Sequence, residues 1–306
     1  MIALTGYSGF VGQQLLRQLS DHQCLLLGRK QPSSDYPFCE FDLGSADSAN
    51  TFLPLSDVTT LVHLAARVHI LNDISTDPLT EFRIVNTEGT LNLARQAAQA
   101  GVKRFIFLST IGVNGVSNTS PFSISDELYP VGNDAVSKLE AEIGLQEIAA
   151  ETDMEVVIIR PPLVYGPNAP GNFAKLAKLA NKNLPLPLGA IHNKRSFVGL
   201  DNLVDLIVTC INNPNAANQT FLVSDDHDVS ITELLTTMIK AAGKNPRLLP
   251  VPVYLIRLVG KFTGKIAVVG RLCDNLQVDI SHTKKTLGWT PPVSFKDGIS
   301  KCFNKE

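Results

Sequence analysis

The chain opens on a strand-like run, Ile2–Thr5, and passes at once into Gly6-Tyr-Ser-Gly9-Phe-Val-Gly12 and a segment of helical spacing. Glycines at that spacing between a strand and a helix leave few folds open. The first permits a tight turn, the second lets backbone approach a pyrophosphate, and the third lets the helix sit close on the strand. The helix N-terminus, from Phe10 and Val11 onward, then aims unpaired N–H groups at an anion.

The next 150 residues keep the same alternation. Apolar runs at residues 24–27, 60–64, 104–109 and 156–160 read as buried parallel strands. Between them, residues 11–20, 78–100 and 135–151 carry helical spacing, with Val11, Leu15, Leu16 and Leu19 on one face of the first. Strand and helix in strict alternation imply right-handed crossovers and a doubly wound α/β sheet of the Rossmann type. After Tyr165 the texture becomes turn-rich, beginning with Gly166-Pro-Asn-Ala-Pro-Gly171. Residues 200–211 read as a helix, 220–223 as a strand and 232–242 as an amphipathic helix. The expected division is a dinucleotide-binding domain over 1–165, joined by about 196–224, with a smaller interleaved α/β substrate lobe over 166–195 and 225–306.

Composition removes several function classes. A formal net charge of -2 gives no electrostatic ground for nucleic acid as a partner, so anions must be held by local donors. Cys24, Cys39, Cys210, Cys273 and Cys302 are scattered and without a CxxC pair, which reads as reduced thiols and a cytoplasmic protein with no signal peptide. The six histidines show no metal-ligand spacing, and no metal site is expected. No apolar run is long enough for a transmembrane segment. Residues 251–272 come nearest, but Arg257, Lys261, Lys265 and Arg271 interrupt them. They read as an amphipathic wall of the substrate lobe, with a membrane-surface helix as the alternative.

The second strand bears on the dinucleotide. A ribose 2′-hydroxyl is usually held by a carboxylate at that strand's end, whereas this chain has Leu27-Gly28-Arg29-Lys30. Two cations suit a 2′-phosphate, so NADP(H) is favoured and NAD(H) stays open. Asp42 and Leu43 are placed against the adenine. Leu64, Ala65 and Ala66 offer small side chains where backbone must approach the cofactor.

Taken in order, the motifs resemble the extended short-chain dehydrogenases, in their nucleotide-sugar epimerase, dehydratase and reductase branch. The likeness runs from the opening glycines through His63-Leu-Ala-Ala66, Asn86, Leu108-Ser109-Thr110, Ser137-Lys138-Leu-Glu-Ala-Glu142 and Arg160-Pro-Pro-Leu-Val-Tyr-Gly-Pro167. It ends with Arg195-Ser-Phe-Val198 and Leu287-Gly-Trp-Thr-Pro-Pro292. The resemblance implies a UDP-hexose or UDP-4-keto-hexose substrate, hydride transfer at C4, and a role in surface polysaccharide precursor synthesis. It makes Thr110 the hydroxyl at the sugar C4 oxygen and Lys138 the ligand of the nicotinamide ribose. Ser109 and Pro161 become cofactor neighbours, Asn86 a supporting residue at the substrate site, and Asn172 and Phe173 the sugar–phosphate side. Arg195 and Arg271 become the clamp on the diphosphate. A homodimer through the helices of residues 78–100 and 135–151 is also implied.

One position departs from the pattern. Four residues before Lys138, where the family carries its proton-transferring tyrosine, stands Asp134. The spacing allows a carboxylate–ammonium pair on one helical face. A carboxylate pKa lies about 6 units below that of a phenol, a deficit of roughly 8 kcal/mol in taking a proton from a hydroxyl. Aspartate is also shorter, so a water must bridge it to substrate. Tyr129 lies in the preceding loop and is no evident replacement. Two readings therefore stand: a nucleotide-sugar enzyme with impaired turnover, and a catalytically silent dinucleotide-binding regulator. A reductase of non-nucleotide carbonyls is the weaker third.

Overall fold

The computed structural model describes residues 1–20, 22–33, 35–45, 47–48, 51–68 and 76–304; His69 lies outside them. Seven strands form one wholly parallel sheet: β1 (Ile2–Thr5), β2 (Cys24–Gly28), β3 (Phe38–Glu40), β4 (Thr60–His63), β5 (Arg104–Leu108), β6 (Glu155–Arg160) and, from further along the chain, Thr220–Leu222. Two more strands, β7 (Leu163–Tyr165) and β8 (Phe197–Gly199), pair in parallel as a separate ribbon, which makes Thr220–Leu222 β9. The main order is β3-β2-β1-β4-β5-β6-β9, reversing between β1 and β4. A ligand crevice is expected at the carboxyl ends of strands beside such a reversal.

The helices of the first part are α1 (Phe10–Gln18), α2 (Pro78–Phe82), α3 (Thr90–Gln99), α4 (Asn133–Glu151), α5 (Gly171–Lys182) and α6 (Leu200–Asn212). The C-terminal part adds α7 (Ile231–Ala241), α8 (Val253–Phe262), α9 (Ile266–Cys273), α10 (Ser281–Leu287) and α11 (Phe295–Lys301). The single helix expected over 78–100 is broken by a π-helical stretch, Arg83–Gly89. Such bulges often mark functional sites, and this one carries Asn86. The α7 helix starts on Ser230, whose side chain accepts from the Glu233 N–H at 3.0 Å, as its Ser-x-x-Glu pattern dictates.

Three apolar layers hold these elements. Leu15 of α1 and Leu203, Leu206 and Ile207 of α6 cover one sheet face, while Leu93 and Ala97 of α3 and Ala141 and Leu145 of α4 cover the other. A third cluster, including Tyr165, Phe173, Leu234, Met238 and Ile299, fills the C-terminal lobe. Tyr165 joins that lobe to the sheet. Its hydroxyl donates to Asp225 Oδ2 at 2.7 Å, and Asp225 Oδ1 also accepts from the Gly199 N–H and from Asn202 Nδ2. Burial holds the Asp225 carboxyl above the usual carboxylate range, opposed by these donors.

Candidate active site

The glycine turn has the geometry its spacing requires. Gly6 sits at φ +70°, and a Cβ there would lie 2.6 Å from the Ala65 N atom on the loop after β4. At Gly12 a Cβ would stand 2.1 Å from the Gly6 carbonyl oxygen, so only glycine lets α1 start this close to β1. Gly9 faces open surface together with Ser8. Gly9 caps α1, which has neither a side-chain cap nor an acidic residue in its first turn. Uncapped N–H groups at an open, carboxylate-free helix start fit a dinucleotide pyrophosphate.

The flanks of this turn are ordered by residues the motif does not mention. The Tyr7 ring is buried against Gly28, where a Cβ would lie 2.9 Å from it, and its hydroxyl donates to the Lys30 carbonyl. That contact positions the end of β2, leaving Arg29 and Lys30 exposed. Glu40, at the end of β3, pairs in register with Gly28, the residue before the two cations. Its distance along the chain from β2 hid it from sequence reasoning. The Asp42 carboxylate accepts from the Gly44 N–H at 3.1 Å, and Leu43 is buried. The Leu43 carbonyl touches Gly89, where a Cβ would stand 2.5 Å away.

The β5 end gathers the candidate chemical groups. Lys138, on the buried side of α4, donates its ammonium to the Leu108 carbonyl at 2.7 Å and lies over the Phe107 ring at 4.9 Å. Burial lowers its pKa, against the opposing charges of Asp134 and Glu142. Thr110, two residues beyond Leu108, opens a short turn and accepts from the Gly112 N–H at 3.2 Å. Pro161 anchors that turn by accepting from the Ile111 N–H at 2.9 Å. Ser109 points elsewhere: its hydroxyl donates to Glu142, buried in an ion pair with Arg160 at 2.5 Å. The Ser109 N–H donates to the Ile159 carbonyl at 2.8 Å, so both of its donors are engaged within the protein. Among the described residues Asp134 and Lys138 form no ion pair within 4.0 Å, because the ammonium is committed to Leu108. Asp134 Oδ1 is instead buried without a hydrogen-bond partner there. Such an orphaned acceptor costs roughly 1–3 kcal/mol and is relieved by a water or a ligand hydroxyl.

Asn86 braces this arrangement from below. Its Oδ1 accepts from the Arg67 N–H at 2.7 Å, and its Nδ2 donates to the Arg67 carbonyl and to Ser137 Oγ, both at 3.1 Å. The amide is thus taken up by protein, in keeping with the supporting place expected of it at the substrate site. His63 is likewise internal, lying 2.7 Å from Thr5 Oγ1 and 2.9 Å from Thr90 Oγ1. Burial, helped by the Lys138 charge, holds its imidazole down to about 3.

In the lobe, Arg195 donates to the Asp274 carbonyl, the C-cap of α9, at 2.9 Å, and burial lowers its pKa. Arg271 is exposed in the last turn of the same helix. Folding brings to one helix end two arginines that lie 76 positions apart in the chain. Asn172 is exposed at the start of α5, but Phe173 is buried in the lobe core, its ring 5.7 Å from that of Tyr165. Its side chain is taken up by the lobe core, whereas the resemblance gives both residues to the sugar–phosphate side. Two hollows of 310 and 370 Å³, beside Gln146 and Thr220 and beside Arg17 and Pro292, hold none of these residues. Among the described residues no cluster of three His, Cys, Asp or Glu side chains suits a metal.

Residues 2–224 match the model of the NAD dependent epimerase/dehydratase family. The chain belongs to that family. A UDP-glucose 4-epimerase of Vibrio cholerae is 48% identical over 307 residues, spanning 98% of this chain and 93% of that one. An N-acetyl-alpha-D-glucosaminyl-diphospho-ditrans,octacis-undecaprenol 4-epimerase of Escherichia coli O157:H7 is 28% identical over all of this chain and 95% of its own. The Bordetella bronchiseptica enzyme WbmG, solved with NAD and UDP, shares the fold at a TM-score of 0.76 and 22% identity, over 98% of this chain and 93% of that one. Membership of an epimerase/dehydratase family accords with the seven-stranded parallel sheet and its flanking helices. The family resemblance and the doubly wound α/β architecture read from the motifs are thereby confirmed.

Proposed function

We propose that this epimerase/dehydratase family member binds NADP(H) or NAD(H) and a UDP-linked hexose or its 4-keto derivative, acting at C4 in surface polysaccharide precursor synthesis. The observation that carries the reading is the convergence of Lys138 and Thr110 on the end of β5, beside a glycine turn open to solvent. A bound nicotinamide supplies and receives hydride. Lys138 holds a positive charge at the ribose side, and Thr110 offers a hydroxyl to the sugar oxygen. Arg195 and Arg271 hold the diphosphate. That part of the ligand is shared by the nucleotide sugar and the lipid-carried sugar named for the two relatives.

Asp134 limits the proton step. Its unpartnered oxygen accepts the sugar hydroxyl or a bridging water, and the hydroxyl keeps most of its proton. Slow turnover with intact binding is the outcome expected. The second reading, a silent dinucleotide-binding regulator, is favoured by the same residue and shares every binding contact.

Calorimetry with NAD(H), NADP(H) and UDP-glucose, followed by interconversion assays on the Asp134→Tyr variant, separates the readings. The phenol is expected to raise kcat by roughly 10²–10⁴, the range of a positioned general acid–base. Binding without gained chemistry selects the regulator. Absence of saturable binding to any of the three ligands ends both.

A further inference from the structure

We propose that the outer face of the α8–α9 hairpin is a docking surface for an anionic lipid bilayer. The hairpin's inner side is already used: Val253, Ile256, Val269 and Leu272 pack on the lobe core. Gly260 lets the two helices touch, since a Cβ there would lie 2.6 Å from Val269 Cγ2. A second apolar side remains. Tyr254, Leu258 and Phe262 succeed one another at i, i+4 and i+8, with Val259, Ile266 and Val268 beside them, all exposed; Phe262 is 82% exposed and Ile266 63%. A soluble surface helix normally carries one apolar stripe, and helices apolar on both sides sit inside a core or against a membrane. Contiguous exposed apolar patches of this kind mark interaction sites.

Charge identifies the occupant. Between Pro250 and Cys273 the chain carries Arg257, Lys261, Lys265 and Arg271 and no carboxylate, although the whole protein has a formal net charge of -2. Arg257 pairs with Asp274 at 2.6 Å, and the other three form no ion pair among the described residues. Exposed aromatic and aliphatic side chains rimmed by unopposed cations match an interface of acyl chains and anionic headgroups. A second copy of the chain fits less well. An isologous contact lays the same patch on itself and would set these cations against one another with only Asp274, already paired with Arg257, to offset them. The hairpin also ends at Asp274, whose carbonyl accepts from Arg195, so docking places the sugar–diphosphate clamp on the membrane side of the molecule.

The test is sedimentation of the full chain with vesicles of phosphatidylglycerol in phosphatidylcholine, against vesicles of phosphatidylcholine alone. Binding is expected to the anionic vesicles, weakening as salt rises, and the Phe262→Glu, Ile266→Glu double variant should lower it at least tenfold. Lys261→Glu with Lys265→Glu should lower it by about fivefold or more per site, since each cation near an anionic surface contributes on the order of fivefold. Phe262→Trp supplies a second readout in a chain with its charges intact, because the native Trp289 is buried. Its emission should shift to the blue on the anionic vesicles. No sedimentation with anionic vesicles, or an unmoved emission, overturns the proposal. So does a dimer in solution that the glutamate substitutions dissolve without any vesicle binding.

Discussion

At the scale of single residues, the site is governed by which polar groups the protein leaves for a ligand. Lys138 is buried and bonded to one backbone carbonyl, which leaves two of its three donors for other acceptors. Lys138→Met keeps the length and removes the charge; nicotinamide dinucleotide affinity is expected to fall about tenfold or more, the worth of a charge-assisted hydrogen bond. Calorimetry measures it, and unchanged affinity removes Lys138 from the cofactor site. Arg29 and Lys30 against Glu40 set a second contrast. Arg29→Ala with Lys30→Ala should weaken NADP(H) by about tenfold or more while sparing NAD(H), whereas Glu40→Gln should weaken NAD(H) and spare NADP(H). Equal losses for both dinucleotides would show that neither group reads the 2′ position.

At the scale of elements, close approaches do the positioning. Gly12→Ala forces a methyl into the space of the Gly6 carbonyl, 2.1 Å away, so α1 must move off β1 and carry its N–H groups with it. The expected result is loss of dinucleotide binding by well over tenfold, with destabilisation of about 1–3 kcal/mol, read together by calorimetry and thermal unfolding. Normal binding in that variant would separate the pyrophosphate from this turn. The π-helical stretch has a similar role on the other side, since Asn86 within it ties the loop after β4 to α4.

At the scale of the whole molecule, buried titratable groups make stability depend on pH. His63 has an ordinary imidazole pKa of 6.5 when unfolded and about 3 when folded. Below 6.5 the unfolded chain takes up a proton that the folded chain refuses. The contribution is therefore fully present above 6.5 and is lost progressively as pH falls toward 3, by at most about 1.4 kcal/mol per pH unit. Denaturant titrations of the parent and of His63→Gln between pH 7 and 4 should show a shallower slope in the variant; parallel slopes would place the proton uptake on another group. Tyr165→Phe tests the joint between sheet and lobe. It deprives Asp225 of one of its three donors, and a loss of about 1–3 kcal/mol is expected in the same titrations.

Much of this molecule is legible in the chain alone. The opening glycines, the apolar runs at β1, β2, β4, β5, β6 and β9 and the helical spacing of α1, α4, α6 and α7 are local signals, because strand and helix periods and turn sterics act over a few residues. The short strands β3, β7 and β8 and helices α5, α10 and α11 escaped, their runs being too brief or too broken by proline and charge for a period to show, while residues 251–272, read as one amphipathic wall, divide into α8 and α9. What only the tertiary structure decided is which distant groups meet: Glu40 beside Gly28, Arg195 at the end of α9, Tyr165 on Asp225, Lys138 on the Leu108 carbonyl rather than on Asp134. It also put Phe173 inside and left the outer side of α8 bare. Chain order carries no record of such encounters, since burial and hydrogen-bond satisfaction are settled among neighbours in space.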